Sequence, residues 1–285
     1  MNTDTISDFL ASHEWAQETK NKYGHVVRRF VAEVEDDRPD VFGPAALLEW
    51  ISSHDTWGPY TRYYANFAVA HWLRYRYGDD HPALALRIKR PKKSPKKRSL
   101  NFEQVDQLLA YFDTSTPKGR RDLAMACLFI DTGLRVSEVA RLSMDYLFLE
   151  ERELSVIVKG GRWEIARYSL YTAACIARWL ADRENIAKCN RVFVGIRTGR
   201  KMTREGIQTN VAKWGRDSGV GKLSPHDFRR TFATLGTILG GPTWVMMVGG
   251  RWRHHETFYS YLRSISLEQI DPYSPVMAVM KNNRR

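Results

Sequence analysis

Residues 153–170 read ELSVIVKGGRWEIARYSL, and this stretch breaks the pattern of the chain around it. Branched and aromatic residues lie on both sides of Gly160 and Gly161, the composition of two strands joined by a tight turn. On either side the apolar residues return to helical spacing. Upstream, NFEQVDQLLAYF (101–112) and RRDLAMACLFIDTG (120–133) read as helices, the second stopped by Gly133. Downstream, TAACIARWLADR (172–183) is helical, RVFVG (191–195) is a short strand, and from Thr203 onward the chain is helical again. The fold class is therefore mainly α with a small antiparallel β-sheet.

Working outward to the N-terminus, IKRPKKSPKKRS (88–99) carries seven lysines or arginines, two prolines and no acid. Proline blocks helix, so residues 89–98 read as an extended basic linker. Residues 1–88 before it show helical spacing throughout, the pattern of a small domain of four or five helices, and residues 99–285 form the second domain. In PYTRYYANFAVAHWLRYRYG (59–78) the phenylalanine and tryptophan read as core and some of the arginines as contacts to a phosphate backbone.

Composition bounds the function. The net charge of +12 persists as a clear excess even without the linker, and such an excess implies a polyanionic partner, nucleic acid above all. No segment is apolar for long enough to cross a bilayer, and the first residues lack the pattern of a signal peptide. Cys127, Cys175 and Cys189 are far apart in sequence, which points to a reducing, cytoplasmic setting rather than to disulfides or zinc.

Four polar stretches stand out. TGLRVSEVARL (132–142) places Arg135 after a helix-ending glycine, with Glu138 a turn later; Lys159 stands at the lip of the hairpin; SPHDFRRTFAT (224–234) places His226 and Arg229 on one helix face. Singly, each has a plain reading as a surface cap, a solvated lysine or a chance pair. Together they fit phosphodiester chemistry, in which two guanidinium forks neutralise the nonbridging oxygens, a histidine holds or moves a proton and a lysine protonates the leaving oxygen. A tyrosine would serve as nucleophile. The fourth stretch, GGRWRHHETFYSYLR (249–263), supplies two. A metal site on His254, His255 and Glu256 is a poor reading, because successive helical residues point about 100° apart.

In order, spacing and wording these stretches resemble the tyrosine recombinases, the family of the integrases and of the Xer and Cre proteins. The resemblance covers the chain from about residue 100; the first domain matches the family's core-binding, SAM-like DNA-binding domain by pattern only. Carried over residue by residue, it implies Arg135, Lys159, His226 and Arg229 as catalytic positions. The family's last box reads Leu-Gly-His, with the nucleophile nine residues after the histidine. Nine residues before Tyr261 stands Trp252, a substitution known in Cre-like members, whereas nine before Tyr259 stands Gly250. Tyr261 is therefore the expected nucleophile, on a helix face shared with Phe258, Leu262 and Ile265, while Tyr259 points elsewhere. Tryptophan offers one N–H and a packing surface but no exchangeable proton, so Trp252 would buttress the phosphate.

The resemblance implies site-specific cleavage and rejoining of double-stranded DNA through a 3′-phosphotyrosine, by a homotetramer on two DNA sites, with no metal and no cofactor. Two other readings stay open at this point: a type IB topoisomerase, which would use nearly the same residues, and a catalytically silent DNA-binding protein on the same fold.

Overall fold

The structure, a computed structural model, describes residues 3–34, 43–92, 98–158 and 160–262. The chain divides into two compact units, Met1–Pro95 and Lys96–Arg285.

The first unit holds α1 (Thr3–Ala11), α2 (Gln17–Glu33), α3 (Pro44–Ser53) and α4 (Pro59–Tyr77), followed by a 3-10 turn at Pro82–Ala85. In α4, Ala65, Ala68, Val69, Trp72 and Leu73 recur at helical spacing and are buried, facing Phe9, Val27, Phe30, Leu47 and Ile51. Trp72 is core as expected. Phe67 is not: it is 45% exposed, because it falls two positions past Ala65 and so lies off the buried stripe.

The second unit is built around α6 (Pro117–Thr132). Thr116 caps its start by accepting from the Gly119 N–H at 3.0 Å, and Pro117 occupies the first turn. Leu123 to Phe129 form an unbroken buried run, so this helix is covered on all sides. Gly133 ends it in the left-handed conformation (φ 58°), as the sequence predicts. Around α6 lie α5 (Phe102–Ala110), α7 (Val136–Arg141), α8 (Leu170–Ile186), α9 (Arg204–Asp217) and α10 (Pro225–Ile238), then α11 (Thr243–Gly249) and α12 (His255–Tyr259). α6 packs directly on α8 and α10. The rings of Phe129 and Phe228 stack at 5.5 Å across the α6–α10 contact, an arrangement worth roughly 0.5–1.5 kcal/mol beyond the area it buries.

The expected hairpin is present as β2 (Glu153–Ile157) and β3 (Trp163–Arg167), antiparallel with Leu154 opposite Ala166, and β1 (Leu147–Phe148) extends it to three strands. Leu154, Val156 and Ala166 face inward. Gly160 and Gly161 have φ 95° and 78°, which explains the pair of glycines at the turn. RVFVG is not a strand. Residues 191–195 make only single bridges, Ser143 to Arg191 and Val194 to Lys201, because the chain folds back through Gly199 after three buried residues.

Candidate active site

Arg229 is the organising residue. It stands on α10 with 1% of its surface exposed, among the largest fully buried side chains of the protein. The helix begins with Ser224 and Asp227 in a capping box: the Asp227 carboxylate accepts from the Ser224 N–H (2.8 Å) and Oγ (2.7 Å), and from Arg230 Nη1 (2.9 Å). The local wording SPHD therefore starts the helix, while the tertiary contact of Phe228 with Phe129 fixes its rotation. Together they aim Arg229 at the end of α6.

A buried guanidinium is costly unless its donors are satisfied. Arg229 Nη1 donates to the Gly133 carbonyl at 2.5 Å and Nη2 to the Gly250 carbonyl at 2.6 Å. The Trp252 ring lies 4.1 Å from its Cζ, a cation–π contact. Gly250 must lack a side chain, since a Cβ there would come within 1.7 Å of the Trp252 ring. Burial, and then the cations Arg135 and Arg251, lower the Arg229 pKa to about 10, with Tyr261 and Glu138 acting in the opposite direction. The group stays charged at neutral pH.

Arg135 precedes α7 and is about one-third exposed. Glu138, buried, accepts from the Arg135 backbone N–H and from its Nη1, both at 2.8 Å. A single carboxylate thus fixes both the main chain and the side chain of Arg135. His226 is exposed as a residue, yet partial desolvation of its ring, and then Arg230, Arg229 and Arg135, disfavour its charged form, with Asp227 acting in the opposite direction. Its pKa is held below the usual 6.5.

Trp252 is 6% exposed and sits in a small cluster with Ala233, Met246, Met247 and Phe258. It stacks on Phe232 and meets Phe258 and Tyr261 edge-on, each of the latter at 5.2 Å. Tyr261 is half-buried, with Arg230 Cζ 5.9 Å from its ring. Tyr259 is 52% exposed and its ring neighbours are His255 and Phe258. The two tyrosines thus point apart, as the helical register predicts. α12 is shorter than expected, however: Tyr261 lies just past its end, held by a bond from its N–H to the Phe258 carbonyl at 2.8 Å. Ile265 and Lys159 lie outside the described residues. His254 and His255 are exposed, away from the cluster.

The structure brings Arg135, His226, Arg229, Trp252 and Tyr261 to one place. Four nitrogens there are buried without any acceptor among the described residues: Arg229 Nε, Arg230 Nε, Arg251 Nε and Trp252 Nε1. Unpaired buried donors are rare in proteins. Four such donors on neighbouring residues, three of them on cations, give this cluster a strongly positive character.

Sequence reasoning missed Arg251. Gly250 caps α11 and Arg251 follows it at φ 57°. The Trp252 N–H reaches the Met247 carbonyl (2.8 Å) and the Arg251 N–H the Val248 carbonyl (2.9 Å), the bonds of a Schellman motif in which the left-handed position is usually glycine. A side chain there costs about 1–2 kcal/mol. Only the positive φ, invisible in the sequence, marks the residue out.

Residues 98–265 match the family model described as the phage integrase family, more than half of the chain. The chain belongs to that family. Among its relatives, tyrosine recombinase XerC of Shewanella sp. (strain ANA-3) is 28% identical over 193 residues, covering 67% of this chain and 60% of the relative. XerC of Actinobacillus pleuropneumoniae serotype 7 (strain AP76) is 34% identical over 172 residues, 59% and 56% of the two chains. XerD of Listeria innocua serovar 6a is 27% identical, covering 81% of this chain and 84% of the relative. The chain thus spans about 60% of the length of the first of these relatives. The fold is shared with the Tn1549 transposon integrase in complex with circular intermediate DNA (TM-score 0.73, 14% identity, 95% and 97% covered). It is shared equally with a lambda integrase dimer bound to a core site (TM-score 0.73, 13% identity, 91% and 93% covered). No helix of the described residues is long and apolar enough to cross a membrane.

Proposed function

We propose that this protein is a site-specific DNA recombinase that breaks and rejoins double-stranded DNA through a 3′-phosphotyrosine, acting in the cytoplasm as a homotetramer on two DNA sites. The observation that carries this reading is the group of unpaired buried donors around Arg229 and Trp252, next to the ring of Tyr261. In the reaction the Tyr261 hydroxyl releases its proton to water as its oxygen attacks the scissile phosphorus, and the bond to the 5′ oxygen breaks. Arg135 and Arg229 neutralise the charge that builds on the nonbridging oxygens. The Trp252 N–H adds a donor and its ring fixes the Arg229 plane. His226 holds a proton at the phosphate, and Lys159 delivers one to the departing 5′ oxygen. The phosphotyrosine conserves the bond energy, and reversal of the same steps rejoins the strand. Residues 1–88 act as the core-binding DNA domain, and the basic linker 89–98 follows the phosphate backbone.

The test is to trap the protein covalently on fragmented host DNA, sequence what is trapped, and present the recovered site in two copies on one plasmid. Exchange between paired sites is the expected result. Relaxation of supercoils without any dependence on a second site would assign a topoisomerase instead, and binding without covalent capture would leave a silent DNA-binding protein.

A further inference from the structure

Arg251 occupies a backbone conformation that glycine would adopt without strain, yet its long side chain turns inward and is 1% exposed. Nη1 donates to the Gly249 carbonyl at 2.8 Å and Nη2 to the Thr132 carbonyl at 3.1 Å. The same Nη2 lies 3.7 Å from Glu138 Oε2. Thr132 ends α6 and Glu138 belongs to α7, whereas Arg251 leads directly into Trp252 and the segment that ends in Tyr261. The residue therefore ties the nucleophile's segment to the corner that holds Arg135.

Charge makes the tie more than mechanical. Glu138 is buried and bonded twice to Arg135, so by itself it cancels much of the positive charge that Arg135 could offer a phosphate. Arg251 faces that carboxylate from the other side. Burial lowers the Arg251 pKa, Glu138 at 3.7 Å opposes the change, Arg135 adds to it, and Glu164 also opposes it. Removing Arg251 lowers the positive charge around Glu138 by one and leaves the carboxylate with its paired Arg135 and, through space, Arg229.

We infer that Arg251 is a positioning residue of the cleavage site, which offsets the charge of Glu138 so that Arg135 remains available to the phosphate. This rests on the proposed recombinase reading. It assigns no contact between Arg251 and DNA.

The test measures covalent adduct formation in a single turnover on a nicked duplex carrying the recombination site, with DNA affinity and melting temperature recorded in parallel. Arg251→Gly adopts the left-handed backbone freely and removes the guanidinium. Its adduct rate should fall at least tenfold while DNA affinity changes by less than about threefold. Adding Glu138→Gln removes the uncompensated charge and should recover part of the lost rate, an outcome that loss of packing would not produce. Arg251→Lys, which keeps a cation, should be faster than Arg251→Gly, and it serves as the test should the glycine variant not fold. A fall of less than tenfold in Arg251→Gly, no recovery with Glu138→Gln, or Arg251→Lys no faster than Arg251→Gly overturns the inference. Failure of the recombinase reading is seen separately, as a wild-type protein that binds the duplex and forms no adduct at all.

Discussion

Replacing Trp252 separates packing from chemistry. The indole is buried against Phe232, Phe258 and Tyr261, and it lies over Arg229 at 4.1 Å. Truncation to alanine removes this packing, a change that costs about 3–5 kcal/mol for a buried tryptophan. At roughly 2–4 °C per kcal/mol for a domain of this size, melting should drop by at least about 6 °C. Catalysis should fall further than stability explains. The indole N–H is one of the four unpaired donors, and deletion of one donor aimed at a transition state costs about 10²–10³-fold in rate. Trp252→Ala should therefore lose about 10²-fold or more in single-turnover adduct formation, measured well below its melting temperature. Trp252→Phe keeps most of the packing and loses the donor, so it should melt close to wild type and cleave at an intermediate rate. Trp252→His restores a donor and should retain part of the activity. Wild-type cleavage by Trp252→Ala would refute the assignment of the indole, and with it the register that selects Tyr261.

Three further outcomes are expected. Lys159→Ala should cleave ordinary DNA slowly but recover on a bridging 5′-phosphorothiolate, whose sulfur leaves without a proton; equal defects on both substrates would make Lys159 a simple phosphate clamp. In the linker, Arg98 is already engaged, donating to the Val220 and Lys222 carbonyls, so the cations to neutralise are Lys89, Lys92, Lys96 and Lys97. Each that contacts phosphate should reduce the slope of log affinity against log salt by roughly 0.9 with site preference intact, and an unchanged slope would make the strap a spacer. His226 is held below its unfolded pKa of 6.5, so the unfolded chain binds the proton more readily as the pH falls past that value. Its contribution is a stability that is present above pH 6.5 and lost below it; His226→Gln should flatten that acid slope in melts between pH 7 and 5, and an identical slope would place the acid sensitivity elsewhere.

The parts of this molecule that were legible in the sequence are those fixed by short-range rules. Gly133 ends α6, and Gly160 and Gly161 turn the hairpin. The nine-residue spacing from Trp252 to Tyr261 is what the family resemblance implies, and the helical repeat adds only that Tyr259 and Tyr261 point apart. What sequence could not reveal depends on tertiary packing. The paired carbonyls that hold Arg229 come from Gly133 and Gly250, more than a hundred residues apart in the chain. Val192 to Val194 look like a strand because they are buried, yet burial here comes from a fold-back with single bridges. Phe67 is apolar and exposed because the stripe of α4 passes beside it. Arg251 reads as one more arginine until its φ and its buried guanidinium are seen together.

The central claim is that Tyr261 becomes covalently joined to DNA. The direct measurement is to trap the adduct on a nicked suicide duplex, digest it, and identify the tyrosine that carries the nucleotide by mass spectrometry. The expected result is a modified peptide at Tyr261, no adduct from Tyr261→Phe with DNA binding retained, and normal adduct from Tyr259→Phe. A nucleotide mapped to Tyr259, or an adduct that survives in Tyr261→Phe, would contradict it.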